Sequence, residues 1–235
     1  MLRIAGRCRI GSDAAWRAVA AAACATVCLS AARGGELQIR VNARDGQPVA
    51  EVVVTATPQQ PGTAATAPKS RERTTAVMDQ QHKAFMPQVL VVARGTWVEF
   101  PNNDSVSHQV YSFSPAKRFQ LPLYKGEVHS PQQFDKPGLV VLGCNIHDSM
   151  VGYIYVAEAP YFGKTDAGGV LRLKDLPGGR YQVSIWSPRV ADDGAALNRE
   201  VEMEMSAPTI VEFKLRQTLR SAPQPRPHPD NWDAY

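Results

Sequence analysis

Along this chain, apolar and polar residues alternate in short runs broken by Gly, Pro, Asn and Asp, and a helical period is nearly absent. Such a pattern predicts strands with one buried and one exposed face, and therefore an all-β architecture of the sandwich type. In residues 36–58, Leu37, Ile39 and Val41 alternate with polar neighbours, Asp45-Gly46 marks a turn, and Val52 to Val54 form a second run. Residues 59–73, rich in Pro, Ala and Thr and without periodicity, read as a linker. Strands are predicted at 76–79, 89–93, 97–100, 108–113, 132–134, 138–142 and 152–156, all within a segment spanning 74–157. Residues 160–215 continue in the same style, with a turn at Thr165 to Gly169, apolar Val170, Leu171 and Leu173, and alternating Tyr181, Val183 and Ile185. Ile210, Phe213 and Leu215 lie in the last predicted strand, and the Pro-rich tail from 216 to 235 is expected to be disordered.

The start of the chain changes how its charge and cysteines are read. Arg3, Arg7, Arg9 and Arg17 precede a mostly small, apolar stretch from Ala18 to Ala32, with Ser30, Ala31 and Ala32 at the cleavage positions. Residues 1–32 therefore read as a signal peptide, too short for a membrane span, and the mature chain is expected in the periplasm. Its four arginines and Asp13 account for three of the four net positive charges. A nearly neutral mature chain without a clustered basic face gives no basis for nucleic-acid binding. Cys8, Cys24 and Cys28 fall in the same segment, which leaves Cys144 alone. A single thiol in an oxidising compartment cannot form an internal disulfide, and ligation of a metal as thiolate accounts for it.

The chemistry concentrates around that thiol. Between two hydrophobic runs in residues 140–156, Cys144, His147 and Met150 follow one another at three-residue spacing. A thiolate, an imidazole and a thioether together suit copper better than a hard cation. A trigonal blue-copper centre needs a second imidazole, and His108 follows a strand-like segment and an Asn-Asn-Asp turn upstream. No Ser-His-Asp arrangement or paired carboxylates are visible, so no enzymatic activity is expected. His82 and His129 lie in polar loops and are expected to be solvated, as is His228 in the tail; Trp97 and Trp186 are expected in the core.

With the run Gly95-Thr96-x-Val98-x-Phe100-x-Asn102-Asn103-Asp104, then His108, Cys144, His147 and Met150, the chain resembles the cupredoxins, the blue-copper proteins that include plastocyanin and amicyanin. Through the segments FPNNDSVSHQVYSFSP, LYKGE, FDKPGLV, CNIHDSM and PYFGKTD it also looks like the exported cupredoxin-like proteins often labelled methylamine utilisation proteins. The resemblance implies a cupredoxin Greek-key β-sandwich over 74–157 holding one type 1 copper ion by His108, Cys144, His147 and Met150. Asn103 and Asn145 are candidates for hydrogen bonds that fix the loop, ordinary turn asparagines being the other reading open from sequence. It also implies transfer of single electrons through the edge of His147, with Val106 and Ile146 beside it. The partner would be a redox protein such as a c-type cytochrome or a periplasmic dehydrogenase. Copper storage, or a partner-binding β-module without electron transfer, is the other function the residues leave open.

Residues 36–58 and 160–188 look like the front and back halves of a transthyretin-like or carboxypeptidase-regulatory-like β-sandwich. The expected architecture is then a cupredoxin sandwich inserted in a second small β-sandwich, an arrangement tolerated where the insertion ends lie close together. Two unrelated β segments flanking the cupredoxin-like one are the other arrangement open from sequence.

Overall fold

The computed structural model describes residues 34–60, 74–126, 129–205 and 207–221. The expected signal peptide, nearly all of the linker, and the tail from 222 onward lie outside those residues. The described chain is built of strands: β1 (Gly35–Asn42), β2 (Val53–Pro58), β3 (Thr75–Val77), β4 (Asp79–Gln81), β5 (Ala84–Met86), β6 (Val89–Ala93), β7 (Thr96–Glu99), β8 (Tyr111–Ser114) and β9 (Lys117–Gln120). There follow β10 (Gln132–Phe134), β11 (Gly138–Cys144), β12 (His147–Ala157), β13 (Tyr161–Lys164), β14 (Val170–Leu176), β15 (Gly179–Trp186), β16 (Asn198–Met203) and β17 (Thr209–Lys214).

These strands divide between two hydrophobic cores that share no residue. The flanking sandwich joins a three-stranded sheet, in the order β14-β1-β17, to a four-stranded sheet, β13-β2-β15-β16. Leu37, Ile39 and Val41 of β1 all point into its core, as their alternation predicts, and meet Val54, Val183 and Phe213 there. β2 pairs antiparallel with β13, Ala56 opposite Tyr161. The chain between them therefore leaves and returns at one end of a strand pair, which makes a second sandwich a long loop at that point. β1 and β2 thus complete sheets whose other strands come more than a hundred residues later.

Within that long loop, a five-stranded sheet, β6-β12-β11-β8-β9, is joined by a three-stranded sheet, β10-β7-β3, over the second core. The molecule is all-β, one sandwich carried as a long loop of another. Val140, Leu142, Ile154 and Val156 point inward from β11 and β12, whereas Tyr153 and Tyr155 point to the opposite face. That face meets the flanking sandwich. The indole of Trp186 lies 5.7 Å from the ring of each tyrosine, centre to centre, so Trp186 belongs to the junction between the sandwiches and is only half-buried. Trp97 is also half-buried rather than enclosed. Across the same junction the Lys164 ammonium donates to the Val89 carbonyl at 2.8 Å and pairs with Glu51.

Three local expectations change. The predicted ligand loop is only a two-residue turn: Cys144 ends β11, His147 begins β12, and the two are cross-strand partners after a register shift at Gly143. His108 does not open a strand; it forms an isolated bridge with Tyr124, and β8 starts at Tyr111. β5 and β9 escape a pattern-based reading because they are short and offer little burial: only Phe85 is buried in β5, and no residue is in β9, where Lys117 and Phe119 are half-buried.

Candidate metal centre

Two elements bring the donors together. The β11–β12 hairpin places Cys144 and His147 side by side, and the segment before β8 brings His108 over them from the neighbouring strand. The two His108–Tyr124 main-chain hydrogen bonds, each 3.0 Å, pin that segment. His108 Nδ1 lies 3.1 Å from His147 Nδ1, and the Cys144 Sγ lies 3.9 Å and 3.6 Å from these two nitrogens. A point equidistant from three atoms at those separations is about 2.1 Å from each, the length of a metal–imidazole bond and near that of a metal–thiolate bond. The three donors are those a trigonal copper site uses. They fit the ion that the resemblance implies.

Burial and hydrogen bonding prepare each donor. His108 is fully buried and Cys144 is 3% exposed, whereas His147 is half-buried. Burial pushes the Cys144 thiol up, but His108 and the backbone N–H groups of Gln109 and Ile146 outweigh it and hold the thiol below its ordinary value. The Gln109 N–H donates to the sulfur at 3.5 Å. A lowered thiol is the form that ligates metal. Burial likewise pushes His108 down, while Cys144 and Asp104 prevail and keep the imidazole above its usual value.

Asp104 is the chief feature that sequence reading missed. Its Oδ2 lies 2.9 Å from His108 Nε2 and accepts the Lys83 N–H at 2.6 Å; its Oδ1 accepts the Ser105 N–H at 2.6 Å. Burial raises this carboxyl, yet the N–H donors and His108 together bring it down to about 2. Behind it, buried Asn102 accepts the Asp104 N–H at 3.0 Å and donates to the carbonyls of Val106 and Tyr124 at 3.1 and 2.7 Å. Gln80, also buried, donates to the Pro101 carbonyl at 3.0 Å and to the Tyr124 hydroxyl. The clue available in sequence was the position of Asp104, four residues before His108 within the Asn-Asn-Asp run.

The remaining expected residues separate. Met150 is buried in the same core cluster as Cys144, three residues beyond His147 on β12. Asn103 does not support the ligands: it is exposed and its side chain donates to Asp79 at 2.9 Å, because the turn faces Asn102, not Asn103, inward. Asn145 lies exposed in the two-residue turn. Ile146 is 49% exposed and Val106 half-buried. His82 is exposed as expected, whereas His129 is partly buried, its ring edge-on to Tyr124 at 4.4 Å.

No family model matches the chain, and no curated protein sequence matches it. Among solved structures it is similar to the reduced state of an amicyanin mutant, with 23% identity over 44% of this chain and 99% of that one, at a TM-score of 0.32. A purple cupredoxin from Nitrosopumilus maritimus shows 23% identity over 36% of this chain and 99% of its own, at 0.31. A copper-containing nitrite reductase from Thermus scotoductus shows 31% identity over 35% of this chain at 0.32, and the match spans only 23% of the reductase. The donor atoms themselves, rather than these likenesses, make the site a candidate for copper.

Proposed function

We propose that this chain is a periplasmic type 1 copper protein that carries single electrons between redox partners. The convergence of His108 Nδ1, His147 Nδ1 and Cys144 Sγ on one point supports that reading. A copper ion held there supplies a one-electron couple. Cys144 contributes the anionic donor, with the Gln109 and Ile146 N–H groups offsetting its charge. His108 is the immobile donor, bridged to Tyr124 and held by Asp104. Met150, buried in the same core cluster as Cys144, would serve as a weak thioether ligand to the ion. Donors fixed by strands and hydrogen bonds move little when the charge at the site changes, which keeps the reorganisation barrier small.

With these four side chains assigned, the protein supplies the whole donor set, and we read the chain as a carrier rather than an enzyme. His147, half-buried beside exposed Ile146, is the proposed route for electrons to a c-type cytochrome or a periplasmic dehydrogenase. The flanking sandwich is read as a transthyretin-like module. Cu(II) added to the mature protein should give an intense thiolate-to-copper absorption that Cys144→Ser removes. Reversible reduction by cytochrome c should follow. A coloured protein that exchanges electrons only sluggishly would instead mean copper storage.

A further inference from the structure

Resting on the copper reading above, the geometry points to Asp104 as the positioning residue that fixes which nitrogen of His108 faces the metal and biases the site toward its oxidised state. Three observations carry this. First, the two ring nitrogens of His108 are divided between different partners: Nε2 faces Asp104 Oδ2 at 2.9 Å, and Nδ1 faces His147 Nδ1 and the Cys144 sulfur. A carboxylate can only accept, so the proton belongs on Nε2 and the lone pair on Nδ1 is free for an ion. Second, Asp104 is itself braced. The Lys83 N–H comes from the tip of the β4–β5 hairpin, where His82 and Lys83 both take positive φ, and Ser105 supplies another N–H. Carboxylate and ring are therefore set by two separate parts of the backbone.

Third, among the described residues the only ion-pair partner of Asp104 is His108. Its charge is not cancelled by a lysine or arginine, and a negative charge passed through the imidazole makes that ligand more basic. A more basic donor favours Cu(II) over Cu(I). No bond is made or broken when the site gains an electron, and no proton need move, so the bias appears as a lowered reduction potential.

The test compares the mature protein with D104N and D104A. D104N keeps a hydrogen-bond acceptor and loses the charge; its copper spectrum should persist while Cu(II) affinity falls about tenfold more than Cu(I) affinity, a rise of about 59 mV for one electron. D104A also loses the acceptor and should shift further. D104E, which restores a carboxylate, should return toward the wild-type potential, an outcome that a merely structural role does not produce. A D104N potential equal to wild type, with the spectrum intact, overturns the proposal. A second measurement needs no variant and no colour: nitrogen NMR of the wild-type protein loaded with Zn(II) should show His108 protonated at Nε2 and bound through Nδ1. The opposite tautomer overturns the assignment even if every variant fails to fold. A wild-type protein that takes up Cu(II) without colour would refute the proposed function, and the Zn(II) measurement would still decide the role of Asp104.

Discussion

The two sandwiches are made of the same material and use buried polar groups differently. In the flanking sandwich these groups act as separate staples. The Thr165 hydroxyl donates to the Val49 carbonyl at 2.8 Å and accepts the Val52 N–H at 3.0 Å; Asp192 accepts the N–H groups of Arg216 and Gln217. Each closes a loop and goes no further. In the other sandwich the polar groups run in series: Gln80 to Tyr124, Asn102 to Tyr124 and Asp104, Asp104 to His108, and His108 to the other two donors. A satisfied network specifies one arrangement of its members, whereas an isolated staple only adds stability. The difference between the two interiors is what distinguishes a scaffold from a site.

Substitutions in each interior should therefore separate stability from spectrum. The largest loss of stability is expected in the flanking sandwich. Phe213→Ala empties a fully buried position and should cost about 3–5 kcal/mol in denaturant unfolding, while the absorption of the copper-loaded protein stays as it was. Any change of colour in that variant would mean that the two cores are coupled through the Trp186 junction.

Asn102→Ala should behave in the opposite way. Its stability loss is smaller, about 1–3 kcal/mol, because three hydrogen bonds to backbone groups are lost while the Tyr124 carbonyl keeps the His108 N–H. Its copper spectrum should nevertheless shift, since Asp104 and the segment carrying His108 lose their anchor. An unchanged spectrum would reduce Asn102 to another staple.

Gly143→Ala tests how closely the outer face is packed beside the donor hairpin. A Cβ there would lie 2.7 Å from the Tyr111 ring, so the substitution should cost about 1–3 kcal/mol, and Tyr111→Leu should recover part of it. Thermal melts of the single and double variants check this; equal melting temperatures for wild type and Gly143→Ala would show that the ring simply swings aside.

The smallest effect is in pH dependence. Asp104 titrates near 2 when folded against an ordinary 3.8, so its carboxylate stabilises the metal-free fold above the ordinary value and loses that contribution as pH falls toward 2. The contribution is on the order of 2 kcal/mol at most. His108 runs the other way, its share present below 6.5 and fading as pH rises through its raised value. Melts of metal-free wild type and D104N should differ at pH 5 and converge near pH 2; a constant gap would contradict the assignment.

Strand periodicity and the spacing of Cys144, His147 and Met150 were legible because they are local properties of the chain. The pairing of residues 36–58 with strands more than a hundred residues later was legible only through resemblance, since periodicity does not say which strands are neighbours. Asp104 and Asn102 were not assigned, while Asn103 was named as a candidate, for one reason: adjacent turn residues look alike in sequence, and only the path of the backbone decides which faces inward. The role of Gly143 likewise depends on a ring from another strand. The signs of strand and donor are in the sequence; the partners of polar groups come with the fold.

The most direct measurement is the visible absorption spectrum of the protein lacking residues 1–32 with one equivalent of Cu(II), taken beside Cys144→Ser. An intense thiolate-to-copper band, present in the first and missing in the second, is the predicted result. A colourless wild-type protein that binds copper while its Cys144 thiol still reacts with an alkylating reagent would contradict it.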